Sequence, residues 1–152
     1  MIRIDRAGQS SKRYAGASAA PMIESESRCP LWSVHACFDR PRVIMPQLVE
    51  LEGGERWFTL SRTVSGHGLG FSPGLEDQQA IFAISIGLKA EFASPLIYAR
   101  GFDFEGVAQP IGLGCASCTR LSCSQRSAPP RGQTLRFNDR ERGLAPFDFV
   151  RN

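Results

Sequence analysis

The run Val43-Ile44-Met45-Pro46-Gln47-Leu48-Val49-Glu50-Leu51, followed by Glu52-Gly53-Gly54-Glu55 and then Arg56-Trp57-Phe58-Thr59-Leu60-Ser61-Arg62-Thr63-Val64, decides the fold class. A Gly-Gly pair between two apolar runs signals a tight hairpin. The spacing therefore predicts two antiparallel strands. In the second, alternation places Phe58, Leu60, Arg62 and Val64 on one face and Trp57, Thr59, Ser61 and Thr63 on the other. Pro46 has no N–H to give a ladder and pushes the first strand towards a sheet edge.

Further elements extend outward from this hairpin. Ala80 to Leu88 is apolar and small, as a buried strand is. Ile2 to Asp5 reads as a short strand, Ala7-Gly8 as a turn, and Ser10 to Tyr14 as the returning partner. Pro30 to Phe38 is expected to be a short helix, with Leu31, Val34 and Phe38 on one side and Pro41 ending it. Ala15 to Ser27 and Ser65 to Gln79 are expected as loops, the second mobile and holding a solvated His67. Ala90 to Arg100 is expected as a helix or turn limited by Pro95. A short strand at Thr134 to Phe137 precedes a polar stretch, Asn138 to Asn152, read as a flexible tail. The expectation is an α+β domain over residues 1–137. It has a small antiparallel sheet, short helices and a cysteine-rich metal-binding loop.

A chain of 152 residues suits one domain. Fifteen Gly and ten Pro argue for many turns. The net charge is +3, and the arginines are scattered singly rather than gathered in a basic run, which argues against nucleic-acid binding by this chain alone. The first residues lack the apolar core of a secretory signal, and no apolar run reaches membrane-spanning length. The expected location is the cytoplasm, with no membrane partner.

The cysteines carry the most chemistry. Cys115, Cys118 and Cys123 fall in the loop Gln109 to Gln125, in C-x2-C-x4-C order. A C-x2-C knuckle aims two sulfurs at one point, and Gly112 and Gly114 let the backbone turn sharply before it. A closed tetrahedral site needs a fourth ligand. Cys29 is chosen, because the N-terminus of the expected helix favours a thiolate. Soft thiolates select zinc or an iron–sulfur cluster. The order reverses the plant-type ferredoxin spacing, so it does not single out iron. In the cytoplasm such a cluster reads as a metal site rather than as disulfides. Cys37 is read as a packing residue. His35 is read either as an alternative ligand or hydrogen-bond partner of the site, or as a partly buried structural histidine. No nucleophile elbow, zinc-protease helix or phosphate loop is present, so no catalytic residue is assigned.

Taken together, Cys29-Pro30-Leu31-Trp32-Ser33-Val34-His35, Arg62-Thr63-Val64, Gly112-Leu113-Gly114-Cys115 with Cys118, and Cys123-Ser124-Gln125-Arg126 resemble the C-terminal domain of the short-chain fatty acyl-CoA regulators. These are bacterial transcription regulators of the XRE type that govern propionate and acetate metabolism. The opening Arg3-Ile4-Asp5-Arg6-Ala7-Gly8-Gln9-Ser10-Ser11-Lys12-Arg13 matches as well, and the likeness runs from about Ile2 to Phe137. It implies an acyl-CoA-sensing domain with a cysteine-bound metal centre and no catalysis. Members also carry an N-terminal helix-turn-helix and a protease-like middle region that this sequence lacks. DNA contact is therefore expected only through a helix-turn-helix outside it. The abrupt start suggests a truncated gene, a split regulator or a stand-alone sensor. Many members have Gly-Cys where this chain has Lys89-Ala90.

On this reading Arg13, Arg62 and Lys89 are candidates for the CoA phosphates, since arginine and lysine suit phosphate. The bland reading of each is a solvated charge. Because Arg62 is costly to bury without an anion, the Phe58-Leu60-Arg62-Val64 face is expected to line a cleft. Expected partners are a short-chain acyl-CoA and a second copy or a full-length regulator. The competing reading is a zinc-stapled interaction module, or a regulator fragment, with no small-molecule ligand.

Overall fold

The computed structural model describes residues 1–16, 22, 29–66, 80–136, 140 and 147–150. Ile2–Ile4 (β1), Ser10–Arg13 (β2), Met45–Glu50 (β3), Arg56–Gly66 (β4), Ala80–Lys89 (β5) and Gln109–Pro110 (β6) form one sheet in the order β2-β1-β5-β4-β3-β6. All neighbours are antiparallel except β3 and β6, which run parallel. The β3–β4 hairpin closes where the Gly54 N–H meets the Leu51 carbonyl, with Gly54 at φ +81°. A side chain would be strained at that φ. Pro46 pairs with Leu60 on its inner side, while β6 reaches only Val49 and Glu50 on the outer side. The missing N–H of Pro46 therefore falls on an unpaired edge.

The expected helix is shorter than its apolar spacing implied. Residues Ser33–Ala36 form the α-helix (α1), Cys37–Asp39 continue as a 3-10 turn, and Pro30 to Trp32 form a turn. The N-cap residue Trp32 offers no side-chain cap. Gln47 of β3 does that work from across the core. Its Oε1 accepts from the Ser33 N–H at 2.7 Å, and its Nε2 donates to the Leu31 carbonyl at 2.9 Å. An orphan helix N–H is thus satisfied by the sheet on which the helix lies. Ala90–Phe92 and Ile97–Ala99 are 3-10 turns split by Pro95.

The two faces of the sheet are covered differently. The helix lies over Ile2, Ile4, Val49, Trp57 and Ala83, joined by Trp32, Val34, Cys37 and Ile111. Its closest approach falls on the hydroxyl residues of β4 and β5, which are small enough to admit it. Ser33 Oγ lies 2.8 Å from Ser61 Oγ, which donates to Ser85 Oγ at 3.0 Å. Thr59 Oγ1 accepts from Trp32 Nε1 at 3.4 Å, and Thr63 Oγ1 accepts from the Arg42 N–H at 2.9 Å. Thr59, Ser61, Thr63 and Ser85 are all buried, and their hydrogen bonds to Trp32, Ser33, the Gln47 carbonyl and the Arg42 N–H, with that between Ser61 and Ser85, make the burial tolerable.

The opposite face departs from the expected cleft. Phe58 is fully buried and meets Phe102 and Phe104 edge to face, with centroids 5.0 and 5.6 Å apart. Ala93, Leu96 and Ala99 complete this second core over Leu60 and Leu88. The layer stops there. Further along β4 and β5, Arg62 and Ile86 are exposed. One end of the face is a closed core and the other is open. The expected tail also departs from its reading. Asp148–Val150 (β8) pairs with Thr134–Arg136 (β7) in a separate two-stranded sheet, and Phe149 is buried. His67 and most of the two expected loops lie outside the described residues.

Phe58→Ala should cost about 3–5 kcal/mol of unfolding free energy by opening a cavity under Phe102 and Phe104. Denaturant titration checks this; a loss below about 1 kcal/mol would mean that this face is a cleft rather than a core.

Candidate functional site

The loop that follows β6 is fixed to the β3–β4 hairpin by polar contacts. The Ile111 N–H donates to the Glu50 carbonyl at 3.0 Å, and Arg120 Nη2 donates to the same carbonyl at 3.0 Å. Glu52 Oε1 accepts from the Thr119 N–H at 2.7 Å and from its hydroxyl at 2.8 Å. These contacts carry Cys115, Cys118 and Cys123 back to the turn before α1, where Cys29 is buried. Cys29, Cys115, Cys118 and Cys123 line one narrow cavity of about 20 Å³, with Gly112, Arg120 and Arg126 among its other walls. All five cysteines are free thiols.

Backbone geometry aims donors at the sulfurs. The Ser127 N–H and hydroxyl lie 3.4 and 3.3 Å from Cys115 Sγ. A Cβ on Gly112 would lie 2.8 Å from both Cβ and Sγ of Cys118, so only glycine allows that close approach. Cys29 is not at a helix N-terminus, because the cap is Trp32. Burial pushes its thiol up, the N–H groups of Gly112 and Leu31 pull it down in smaller measure, and Cys115 and Cys118 add to the rise. The expected lowering by a helix dipole is therefore corrected: desolvation governs this thiol.

Among the described residues, no group of three or more His, Cys, Asp or Glu side chains stands in a metal-holding arrangement. The cysteine-rich loop expected from the spacing meets Cys29 across one cavity, which four thiols line. The donor set suits a soft metal in kind. His35 is not among the cavity walls. Its ring lies against Gly8, with Cε1 3.4 Å and Nδ1 3.7 Å from where a Cβ would stand. Cys37 is fully buried away from the cavity and its thiol donates to the Val34 carbonyl at 3.2 Å.

The three cationic candidates do not come together. Arg13 Nε donates to Ser10 Oγ at 2.7 Å at the β2 edge. Lys89 pairs with Glu55 at 3.5 Å and shares a cavity of about 410 Å³ with Glu91 and Glu105, a setting unsuited to phosphate. Arg62 pairs with Ile84, five residues from Lys89 along β5, or about 17 Å, and on the opposite face. Sequence spacing did not reveal the buried Arg126, 2% exposed, whose Nη1 donates to the Cys115 and Cys118 carbonyls at 3.0 and 3.2 Å. No residue pattern announces a buried arginine, because arginine is read by default as surface.

Burial pushes the Cys37 thiol from 9.0 up to about 11. Its contribution to stability is full below about pH 9, shrinks as pH rises, and is gone once pH passes about 11. Denaturation midpoints across that window should fall less steeply in Cys37→Ala; an unchanged slope would mean that Cys37 is solvated. Gly112→Ala should displace Cys118 and lower thermal stability, read by the melting transition.

Residues 1–147 match the family described as "Short-chain fatty acyl coenzyme A regulator, C-terminal". The chain is 36% identical over 149 residues to the propionyl-CoA carboxylase regulator of Cereibacter sphaeroides, which spans 98% of this chain and 31% of the relative. It is 33% identical over 151 residues to the HTH-type transcriptional regulator RamB of Mycobacterium tuberculosis, spanning 96% of the chain and 31% of the relative. A solved Mycobacterium tuberculosis transcriptional regulator superposes with a TM-score of 0.84 at 32% identity, over 95% of this chain and 43% of the other. The chain thus spans about a third of the length of the curated relatives it matches. It belongs to the short-chain fatty acyl coenzyme A regulator family and corresponds to that family's C-terminal domain.

Proposed function

We propose that this chain is the effector-sensing domain of a cytoplasmic transcription regulator, with a short-chain acyl-CoA as effector and a cysteine-bound metal centre as its staple. Membership of the family and the regulators among its relatives support the regulatory part. Contact with DNA would come from a helix-turn-helix outside this sequence, and self-association or pairing with a full-length regulator is compatible with the reading. Among the described residues no helix is long and apolar enough to cross a membrane.

One observation carries the effector reading. On the open half of the sheet, cross-strand register sets Lys12, Arg3, Ile84 and Arg62 in one row across β2, β1, β5 and β4. Strands lie about 4.8 Å apart, so Arg3 and Arg62 stand about 10 Å apart on one face. Among the described residues none of the three cations has a carboxylate partner. Arg3 lies 4.4 Å over the Phe82 ring, and Ile86 is 50% exposed beside the row. Cations beside apolar surface suit a ligand that joins phosphates to a short acyl chain. A cavity of about 500 Å³ lined by Pro46, Leu48, Phe102 and Val107 opens at the covered end of the same face and would take the chain. Arg13 and Lys89 have no place in this site.

For the metal, Cys29, Cys115, Cys118 and Cys123 would be the ligands, and zinc or an iron–sulfur centre would supply cross-linking of the loop to the α1 turn. Cys118→Ser or Cys123→Ser should then abolish bound metal in purified protein, whereas Cys37→Ala should retain it. Arg62→Ala should weaken propionyl-CoA binding, measured by calorimetry, by more than about tenfold, or about 1.4 kcal/mol. The melting transition should stay nearly unchanged. Absence of acyl-CoA binding by the parent chain would leave the metal-stapled interaction module as the reading.

A further inference from the structure

The cysteine cavity is lined by two guanidinium groups that meet no carboxylate among the described residues. Arg126 is 2% exposed. Its four side-chain contacts besides the Phe149 ring are the Cys115, Cys118 and Arg120 carbonyls at 3.0, 3.2 and 2.6 Å and Cys118 Sγ at 4.0 Å. Its charge also lies 4.9 Å over the Phe149 ring. Arg120 makes one side-chain bond to a protein carbonyl, that of Glu50. The Nε atoms of both are buried without a partner. Among the described residues neither forms an ion pair.

Burying a cation this way is costly. Carbonyl dipoles offset part of the cost but leave the net charge in place. Four neutral thiols would leave it in place as well. Four thiolates around a divalent ion, or around a cluster core of equal charge, carry two net negative charges. Two guanidiniums cancel them.

We infer that Arg126 and Arg120 are positioning residues that supply the counter-charge of a dianionic tetrathiolate centre formed by Cys29, Cys115, Cys118 and Cys123. The inference rests on the reading of these cysteines as metal ligands. It adds that the cavity is built for a negatively charged centre rather than for neutral thiols. It also ties β8 to that centre, since the Phe149 ring lies against the Arg126 guanidinium.

The test is anaerobic titration of the whole chain with Co²⁺, followed by thiolate-to-cobalt charge-transfer absorption against a competing chelator. Arg126→Met should weaken Co²⁺ binding by about 10–100-fold, as loss of an outer partner of a metal site does. Arg120→Met, which gives up a single carbonyl bond, should weaken it in the same direction and keeps the test valid if Arg126→Met does not fold. Arg126→Lys, which keeps the charge but cannot span three carbonyls, should recover most of the affinity. The exposed Arg100→Met should bind as the parent does. If the parent chain binds Co²⁺ and Arg126→Met and Arg120→Met bind it equally well, the counter-charge role is overturned while the metal reading stands. If Arg126→Lys is as weak as Arg126→Met, the guanidinium only braces carbonyls and the inference is overturned. If the parent chain gives no thiolate–cobalt absorption, the metal reading fails and the inference with it.

Discussion

The pairing of β4 with β5 is the constraint from which the rest of the molecule follows. Their ladder runs unbroken from Trp57 and Lys89 to Gly66 and Ala80. A strand pair that long fixes the side of every residue on it, because a slip of one position would turn each side chain to the other face. On one side it presents Thr59, Ser61, Thr63 and Ser85. On the other it presents Phe58, Leu60 and Leu88. The small hydroxyl side admits a helix of one turn at close range, and the bulky side collects Phe102 and Phe104. The helix then brings Cys29 into the core, and the hairpin end of β4 anchors the cysteine loop. A helix as short as α1 has no stability of its own. It exists because Gln47 and Ser61 hold it.

The elements legible in the sequence are those fixed by neighbours along the chain. The Gly53-Gly54 hairpin, the β1–β2 return and the β5 run all carry local signals, and each forms. What escaped is what depends on partners distant in sequence. The face of β4 that looked functional, with its large apolar residues, is half closed by a segment some forty residues later, which alternation within β4 cannot foresee. The face that looked indifferent became the seat of the helix. Parallel pairing of β6 with β3 rests on two residues and leaves no periodic trace. Phe149 stood in a stretch whose polar composition argued for a tail, yet one aromatic with an arginine beneath it is enough to place a strand there.

The cysteine site divides in the same way. The C-x2-C knuckle is a local motif, and the cavity brings its sulfurs to one wall with Cys123 and Cys29. The reason given for including Cys29 fails, since a buried turn and not a helix N-terminus surrounds it. Its place in the cavity comes from the packing of Trp32 and Leu31 against the sheet. His35, near Cys29 in sequence, turns instead to Gly8. Closeness along the chain was a poor guide there, because three residues of a tight turn reverse direction.

The distribution of stabilising contacts bears on why such a loop would carry thiols. Between Thr119 and Leu135 only Arg126 and Pro130 are buried. The loop rests on Glu50, Glu52 and Arg126 hydrogen bonds rather than on apolar packing. Single hydrogen bonds of this kind contribute about 1 kcal/mol each. A stretch so poor in hydrophobic area has little else to offset the entropy of ordering it. Ligation of a metal by one residue from the core and three from the loop would place binding energy where apolar burial is scarcest. In the proposed state the metal would also decide whether Arg126 keeps an anionic neighbour, and through Phe149 whether β8 stays docked. Loop order, guanidinium placement and C-terminal docking would then rise and fall together, which is the coupling a sensing domain needs between a buried centre and its surface.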